Sequence, residues 1–230
     1  MREVQPQIHF TDKALENLKQ YYPDQKQREE FLESAKKIPK QFYSFKYNET
    51  KSQTSYILRV DNTQEPSQMS MGIRPDIGSN PIFSYKENLY YYETDMFTGN
   101  KMVIYDSLQK VNFVETRKTK NILGFGVKEA ITKYKNYDLI AWYAPQISYE
   151  YSPDKFYGTK GLILELHYKF IKDDVEVMIS WIAVKKKELK KSPVFKINNQ
   201  LKKVYQAEFL KMIEDSNQIQ REAANQGVEK

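Results

Sequence analysis

Two residue types that can transfer protons stand two positions apart in the clearest strand of this sequence. Glu165 and His167 fall within the alternating run 161–171, so both side chains lie on one face of the strand. This spacing separates them by about 7 Å, which suits an acid–base pair or half of a metal site. The alternative is that both residues are ordinary polar positions of an alternating strand and have no chemical role. We favour this alternative because the other histidine, His9, lies far away in the N-terminal arm and would not complete a site.

The composition excludes several kinds of chemistry. The 230 residues contain no Cys and two His, which excludes disulfides, thiolate zinc sites, cysteine nucleophiles and histidine-rich metal sites. The sequence has neither a Gly-x-Ser-x-Gly nucleophile motif nor a phosphate-binding Gly-Lys-Ser/Thr motif. Asp and Glu are plentiful, so a hydrolase that uses two carboxylates stays open, although no specific pair stands out. We therefore assign no catalytic residue, no metal and no cofactor.

The charge balance is mildly basic, with 36 Lys and Arg against 30 Asp and Glu and a formal net charge of +6. The densest basic run is 185–191, which follows a strand-like run and precedes Ser-Pro. Such a run could bind nucleic acid or anionic lipid, but the net charge is modest and no RNA-recognition signature accompanies it. We interpret it as a solvated strand end and predict no nucleic-acid partner.

Hydrophobic periodicity divides the chain into helical and strand-like zones. Short runs rich in Tyr, Phe, Ile, Val and Thr, separated by turn residues, are typical of β-strands. Steps of three and four between apolar residues are typical of helices. These patterns predict a helical N-terminal segment over 1–40, a sheet core over 41–184, a C-terminal helix over 198–215 and a frayed tail over 216–230.

The order helix, sheet, helix predicts one α+β domain spanning 1–230. We expect a curved, half-barrel-like antiparallel sheet flanked by N- and C-terminal helices. The runs 161–171 and 175–183 both alternate and predict adjacent antiparallel strands. Pro and Gly concentrate in 61–81, which we predict to be the most mobile loop, and 97–100 is typical of a hairpin turn.

Two glycines bracket the loop that leads into the clearest strand, Gly158 and Gly161. Glycine is needed where φ is positive or where another backbone comes close. A corner that directs Leu162 into the core explains both glycines, and we favour this interpretation. A loop that contacts a ligand is the alternative.

Four blocks in the second half of the chain resemble the GLPGLI family of Bacteroidetes. The blocks are DSL at 106–108, ILGFGVKEA at 122–130, AWYAPQI at 141–147 and SPDKFYGTKGLILEL at 152–166. Residues 158–163 (GTKGLI) retain both glycines and the Leu-Ile of the Gly-Leu-Pro-Gly-Leu-Ile hexapeptide, whereas its central Leu-Pro is replaced. The similarity extends over about 41–170.

The resemblance implies a location more than a reaction. Members of the family typically carry a secretion leader and have no firmly established activity. The resemblance therefore implies an exported chain in the periplasm or cell envelope, with the leader absent from this sequence. Because residues 1–6 contain no apolar signal-peptide region, a cytosolic protein is the alternative. No window approaches 18 consecutive apolar residues, so we expect no transmembrane segment.

The sequence contains 18 Tyr, 12 Phe and 2 Trp. We expect more aromatic rings than the core can bury, so some of them would form a binding surface. The runs 90–92 (YYY) and 142–143 (WY) must place rings on both faces of a sheet. One face is core; the other either exposes rings in an apolar cleft or lies beneath a terminal helix. We predict a ligand- or partner-binding site formed by Trp142, Tyr143, Pro145, Phe156, Gly158, Gly161, Glu165 and His167.

The sequence therefore favours a non-enzymatic cell-envelope protein. We expect it to bind a partner protein, or a small lipophilic or peptide ligand, in a groove between sheet and helices. Burial of apolar surface would supply the affinity and tyrosine hydroxyls the orientation. A role accessory to an outer-membrane transport or assembly machine fits this function. The alternative is a hydrolase that uses carboxylates or a weak Glu165–His167 metal site.

Overall fold

The fold is mostly β, with three helices in the described part of the chain. The computed structural model describes residues 1–36, 38–58, 77–95, 99, 101–172 and 174–226. Most of the predicted mobile loop 61–81 and of the predicted turn 97–100 lies outside these residues. The helices are α1 (Asp12–Tyr21), α2 (Gln25–Lys36) and α3 (Gln206–Gln226). The strands are β1 (Arg2–Phe10), β2 (Gln41–Tyr47), β3 (Lys51–Tyr56), β4 (Ile82–Ser84), β5 (Leu89–Asp95), β6 (Lys101–Ser107), β7 (Gln109–Lys110), β8 (Val114–Ile122), β9 (Phe125–Tyr134), β10 (Tyr137–Ala144), β11 (Phe156–Tyr157), β12 (Leu162–Lys172), β13 (Val175–Ala183) and β14 (Lys203–Tyr205).

Twelve strands form one open, mixed sheet. Their order is β14-β6-β5-β4-β3-β2-β1-β13-β12-β10-β9-β8. The predicted pairing of 161–171 with 175–183 is confirmed by the antiparallel pair β12–β13. The expectation of an antiparallel sheet is wrong at one edge of this sheet, where β14 pairs with β6 in parallel, and β7 and β11 form a separate two-stranded parallel sheet. Each of these pairs joins strands linked by a long connection, which allows either direction.

The N-terminal zone 1–40 is only partly helical, because its first residues form strand β1. This strand lies inside the sheet, between β2 and β13. Pro6 argues against such a position because proline cannot donate to a strand ladder. However, β2 pairs only with the first three residues of β1, whereas β13 pairs with all nine. Pro6 therefore lies where β1 has a strand partner on one side only.

The helical part of the N-terminal zone consists of α1 and α2. Thr11 caps α1, since its side chain accepts a hydrogen bond from the backbone N–H of Ala14 at 3.3 Å. On α2, the ring of Phe31 lies 6.1 Å from that of Phe10 and 5.1 Å from that of Tyr22. These contacts connect the helical pair to the end of β1.

The C-terminal helix is shifted relative to the predicted span 198–215. Residues 203–205 pair with β6 as strand β14, and α3 begins only at Gln206. The helix then continues to Gln226 through the predicted frayed tail. Residues 216–226 contain no Gly or Pro and include the good helix formers Gln, Arg, Glu and Ala, which explains the extension.

Asp154 is a buried carboxylate inside the main core, where it is 1% exposed. Its Oδ2 accepts hydrogen bonds from the hydroxyl of Tyr168 at 3.0 Å and from the indole N–H of Trp181 at 2.9 Å. Its Oδ1 accepts one from the backbone N–H of Lys155 at 2.6 Å. Burial raises the pKa of Asp154 above its ordinary value. The carboxylate thus joins the 145–161 connection to strands β12 and β13.

Arg2 is a buried cation, 3% exposed, that caps an irregularity in the sheet. The register of β10 against β12 shifts between Trp142 and Tyr143, which leaves Leu164 without a partner on β10. The Arg2 guanidinium donates to the carbonyl of Leu164 and, at 2.7 Å, to that of Ile163. Burial lowers the pKa of Arg2 to about 10, so it remains charged at neutral pH.

Candidate functional site

Polar side chains from three strands form a hydrogen-bonded row around His167. His167 on β12 lies opposite Ser180 on β13, and its Nδ1 is 2.7 Å from the Ser180 Oγ. Its Nε2 is 2.6 Å from Oε1 of Glu165. Lys120 on β8 donates to the same Oε1 at 2.8 Å. Glu165 and His167 were expected about 7 Å apart, but their side chains lean together along the strand and meet.

Trp142 joins this row through Lys120. It lies directly opposite Glu165 in the β10–β12 register and is half-buried. The Lys120 Nζ sits 4.1 Å from the centre of a Trp142 ring, within the range of a cation–π contact. The structure thus brings together Trp142, Glu165 and His167, three of the predicted site residues.

Two members of this row were missed by sequence reasoning. Ser180 could have been found, because the alternation of 175–183 against 161–171 puts it in register with His167. Lys120 gave no such signal, since it lies on the edge strand β8, three positions from β12 in the sheet order. Its contact with Glu165 depends on how strands β8, β9, β10 and β12 are ordered and arranged in the sheet.

Replacing Glu165 with Gln should lower stability at neutral pH by about 1.5–3 kcal/mol, the usual contribution of a hydrogen bond to a charged group. Burial opposes ionisation of this carboxyl, but hydrogen bonds from His167 and Lys120 outweigh it and hold its pKa below the ordinary 4.5. The folded wild type therefore keeps this stability above pH 4.5 and loses it as the pH falls through the lowered pKa. Urea unfolding across this range measures the effect.

A surface carboxylate provides the matched control. Glu176 pairs with Lys169 at 3.0 Å, and both side chains are about one-third exposed or more. Replacing Glu176 with Gln should change stability by less than about 0.5 kcal/mol. Equal effects of the two substitutions would contradict a stabilising role of Glu165 in the His167 row.

The other predicted site residues lie elsewhere. Tyr143 and Phe156 are each 1% exposed within the core, so neither ring is accessible to a ligand in this conformation. The Tyr143 hydroxyl donates to Glu115 at the surface. Pro145 is exposed in the turn that follows β10. These positions do not join the His167 row.

Gly158 and Gly161 sit where backbones come close together. Gly158 has φ +125°, and a Cβ there would lie 2.3 Å from the carbonyl oxygen of Val111. A Cβ on Gly161 would lie 2.3 Å from the carbonyl oxygen of Ala144. These contacts support a packing role for both glycines.

Replacing Gly158 with Ala should destabilise the protein by about 2–4 kcal/mol, since it adds both a positive-φ penalty and a steric overlap with backbone. Gly126 on β9 is the control, because a Cβ there meets nothing within 4 Å. Replacing Gly126 with Ala should change stability by less than about 1 kcal/mol. Thermal unfolding of both variants tests this, and a tolerated Gly158 variant would contradict the packing role.

Two adjoining clefts form a second candidate site, beside strands β3 to β6 and β14 at the other end of the strand order. They have volumes of about 190 and 420 Å³ and share Tyr91, Lys196 and Ile197. Residues 193–202, here called the strap, contribute one wall. The strap is attached at both ends: Asn48 Nδ2 donates to the carbonyl of Pro193, and the backbone N–H of Val103 donates to that of Lys202, each at 2.9 Å. Sequence reasoning missed this site because residues 193–197 have no periodic pattern and residues 198–202 were assigned to the C-terminal helix.

The described residues contain no group of three or more His, Asp or Glu side chains that could hold a metal ion. Likewise, none of the three helices in the described part of the chain is long and apolar enough to cross a membrane.

Comparisons with known proteins give a partial family match. The profile of a family described as a protein of unknown function (Porph_ging) matches residues 92–165, less than half of the chain. The match is consistent with a Bacteroidetes-type family. No curated protein matches the chain.

Two solved structures of PNGF-II are similar to the chain. The structure in space group C2 has 15% sequence identity and a TM-score of 0.47, and the one in P21 has 16% identity and a TM-score of 0.48. Each alignment covers 94% of this chain but 33% of the PNGF-II chain. The chain therefore spans about one third of the length of these structures.

Proposed function

We propose that this chain is a non-enzymatic cell-envelope protein that binds a ligand or a partner protein in the two clefts beside the strap. The main support for this proposal is a row of tyrosines on the face of the sheet that borders the clefts. Tyr91, Tyr105 and Tyr205 are cross-strand neighbours on β5, β6 and β14. Their ring centres are 6.3 Å and 5.6 Å apart along the row.

Tyr91 lines both clefts but is 8% exposed, so the accessible ring surface of the row lies mainly towards its end. Tyr90 is fully buried on the other face of β5, whereas Tyr205 is 42% exposed at the end of the row. Tyrosine combines an apolar ring with a polar hydroxyl, so such a row can bury a ligand's apolar surface and also orient it. Cleft and row together make this the best-supported binding region.

The setting of the proposed function rests on the GLPGLI resemblance. We propose an exported protein of the periplasm or cell envelope, accessory to an outer-membrane transport or assembly machine. Its sheet would curve like half a barrel, with the terminal helices flanking it. The Porph_ging match over 92–165 is consistent with this setting.

Native mass spectrometry of protein purified from its own cells tests the proposal. Ile197 lines both clefts, whereas Val194 lies on the same strap, outside them, and is 78% exposed. The wild type and the Val194→Asp variant should carry the same bound mass, and Ile197→Asp should lose it. A bound mass retained by Ile197→Asp, or absent from all three proteins, would contradict binding in the clefts.

The hydrolase predicted from sequence used carboxylates or a weak Glu165–His167 metal site. One observation favours a different one, a serine hydrolase, because Ser180, His167 and Glu165 form a hydrogen-bonded series. Two features weigh against it. Ser180 is only 5% exposed, and its strand β13 is paired on both sides, so its backbone N–H groups are not free to stabilise an oxyanion. A fluorophosphonate probe separates the alternatives: labelling of Ser180 that disappears in His167→Ala would favour the hydrolase.

A further inference from the structure

The larger cleft has an uneven charge. Its lining includes Lys51, Lys196 and Lys203, against the single carboxylate of Glu87. The three lysines come from β3, the strap and β14, so the fold brings together cations from distant parts of the chain. Within the described residues, none of these ammonium groups lies within 4.0 Å of a carboxylate. Lysines of strand β8, such as Lys120 and Lys118, do form ion pairs.

Glu87 does not neutralise the cleft. Its carboxylate is held by hydrogen bonds from Ser84 and, at 3.3 Å, from the Tyr91 hydroxyl. The Ser84 hydrogen bond, together with the nearby charges of Lys51 and Lys203, keeps the pKa of Glu87 below its ordinary value. One ionised carboxylate therefore faces three ammonium groups, and an excess of positive charge remains.

The cleft also offers apolar walls next to these cations. Tyr91, Phe195 and Ile197 line it. The Lys203 Nζ lies 5.9 Å from the centre of the Tyr91 ring, so charge and ring are adjacent. A ligand that fits must place a negative group and an apolar part side by side.

We propose that this cleft binds a small ligand that carries a carboxylate or phosphate group next to an apolar ring. The inference rests on the proposed function, because it specifies the ligand class for the same site. The lysines bind the anion through charge-assisted hydrogen bonds, and the tyrosine and strap side chains cover the ring.

Calorimetric titration of the purified chain with benzoate, phenyl phosphate, inorganic phosphate and benzyl alcohol tests this. Benzoate and phenyl phosphate distinguish the two anions, and benzyl alcohol presents the ring without charge. The preferred anion should bind at least about tenfold more tightly than benzyl alcohol, a difference set by charge-assisted hydrogen bonds. Inorganic phosphate should bind more weakly than phenyl phosphate because it lacks the ring.

Lysine variants identify the groups responsible. Lys51→Ala and Lys203→Ala should each weaken binding of the preferred anion roughly five- to tenfold, the loss of about one charged contact. Lys191→Ala is the control, since Lys191 is exposed and does not line the cleft. Circular dichroism confirms that each variant is folded.

The outcomes separate this inference from the proposed function. Benzyl alcohol binding as tightly as the preferred anion, or lysine variants that bind both anions like the wild type, would overturn the anion inference. A bound native mass that carries no acidic group but depends on Ile197 would do the same while leaving the proposed function intact. In a third outcome, phenyl phosphate binds tightly and depends on the lysines, while the Ile197→Asp variant retains the bound native mass. This outcome would support the anion site and contradict the proposed function.

Discussion

Replacing Asp154 with Ala is expected to lower the free energy of unfolding by about 3–5 kcal/mol, the range for loss of a buried polar hub. The substitution leaves the Tyr168 hydroxyl and the Trp181 indole N–H without an acceptor inside the core. It also opens a small cavity where the carboxylate was. Urea unfolding followed by circular dichroism measures the change.

Tyr168→Phe, alone and combined with Asp154→Ala, tests whether the Asp154 carboxylate and its hydrogen-bond donors are energetically coupled. Tyr168→Phe removes one donor and should cost about 1 kcal/mol in the wild type but less in the Asp154→Ala background. Additive costs would contradict coupling between these groups.

The raised pKa of Asp154 gives a further prediction about pH. Between the ordinary value of 3.8 and the raised pKa, the unfolded chain releases a proton that the folded chain keeps. Wild-type stability should therefore fall as the pH rises through this window. Asp154→Asn cannot titrate and should lack this part of the pH dependence. Identical pH profiles for the two proteins would show that Asp154 keeps its ordinary pKa when folded.

Replacing Arg2 with Met should cost about 3–4 kcal/mol, because it leaves two buried carbonyls without their donor. Met retains much of the apolar volume of the side chain, so the loss reports mainly on the hydrogen bonds to Ile163 and Leu164. Guanidinium chloride unfolding provides the measurement.

Lysine at the same position is the conservative comparison. Arg2→Lys keeps the charge but cannot donate to both carbonyls with the fixed geometry of a guanidinium. It should recover only part of the stability that Arg2→Met loses. Full recovery would mean that the positive charge, rather than the pair of hydrogen bonds, stabilises the register shift between β10 and β12.

The fold was predictable from sequence where periodicity is local. Alternation in 161–171 and 175–183 was enough to predict β12 and β13. Strand β1 was missed because Pro6 argues against a central strand, and the one-sided pairing that tolerates it is a tertiary property. The parallel pairing of β14 likewise depends on where the chain returns, which short-range patterns do not contain.

The candidate site was predictable only in part, for the same reason. Glu165, His167 and Trp142 do lie together, because a shared strand and a neighbouring strand fix their positions. The lysines of the cleft come from three distant segments, and each one alone is typical of an ordinary surface residue. Convergence of this kind becomes visible only once the sheet order is known.

The internal position of β1 has a consequence for the order in which the chain folds. Arg2 pairs with Tyr43 on one side and with Ala183 on the other, so this strand joins the two halves of the sheet. Contacts between residues so far apart in sequence form slowly, because a long loop must close first. In a nascent chain, β1 therefore cannot complete its pairing with β13 until Ala183 has been synthesised. Until then its unpaired strand edges remain open to aggregation or to a chaperone.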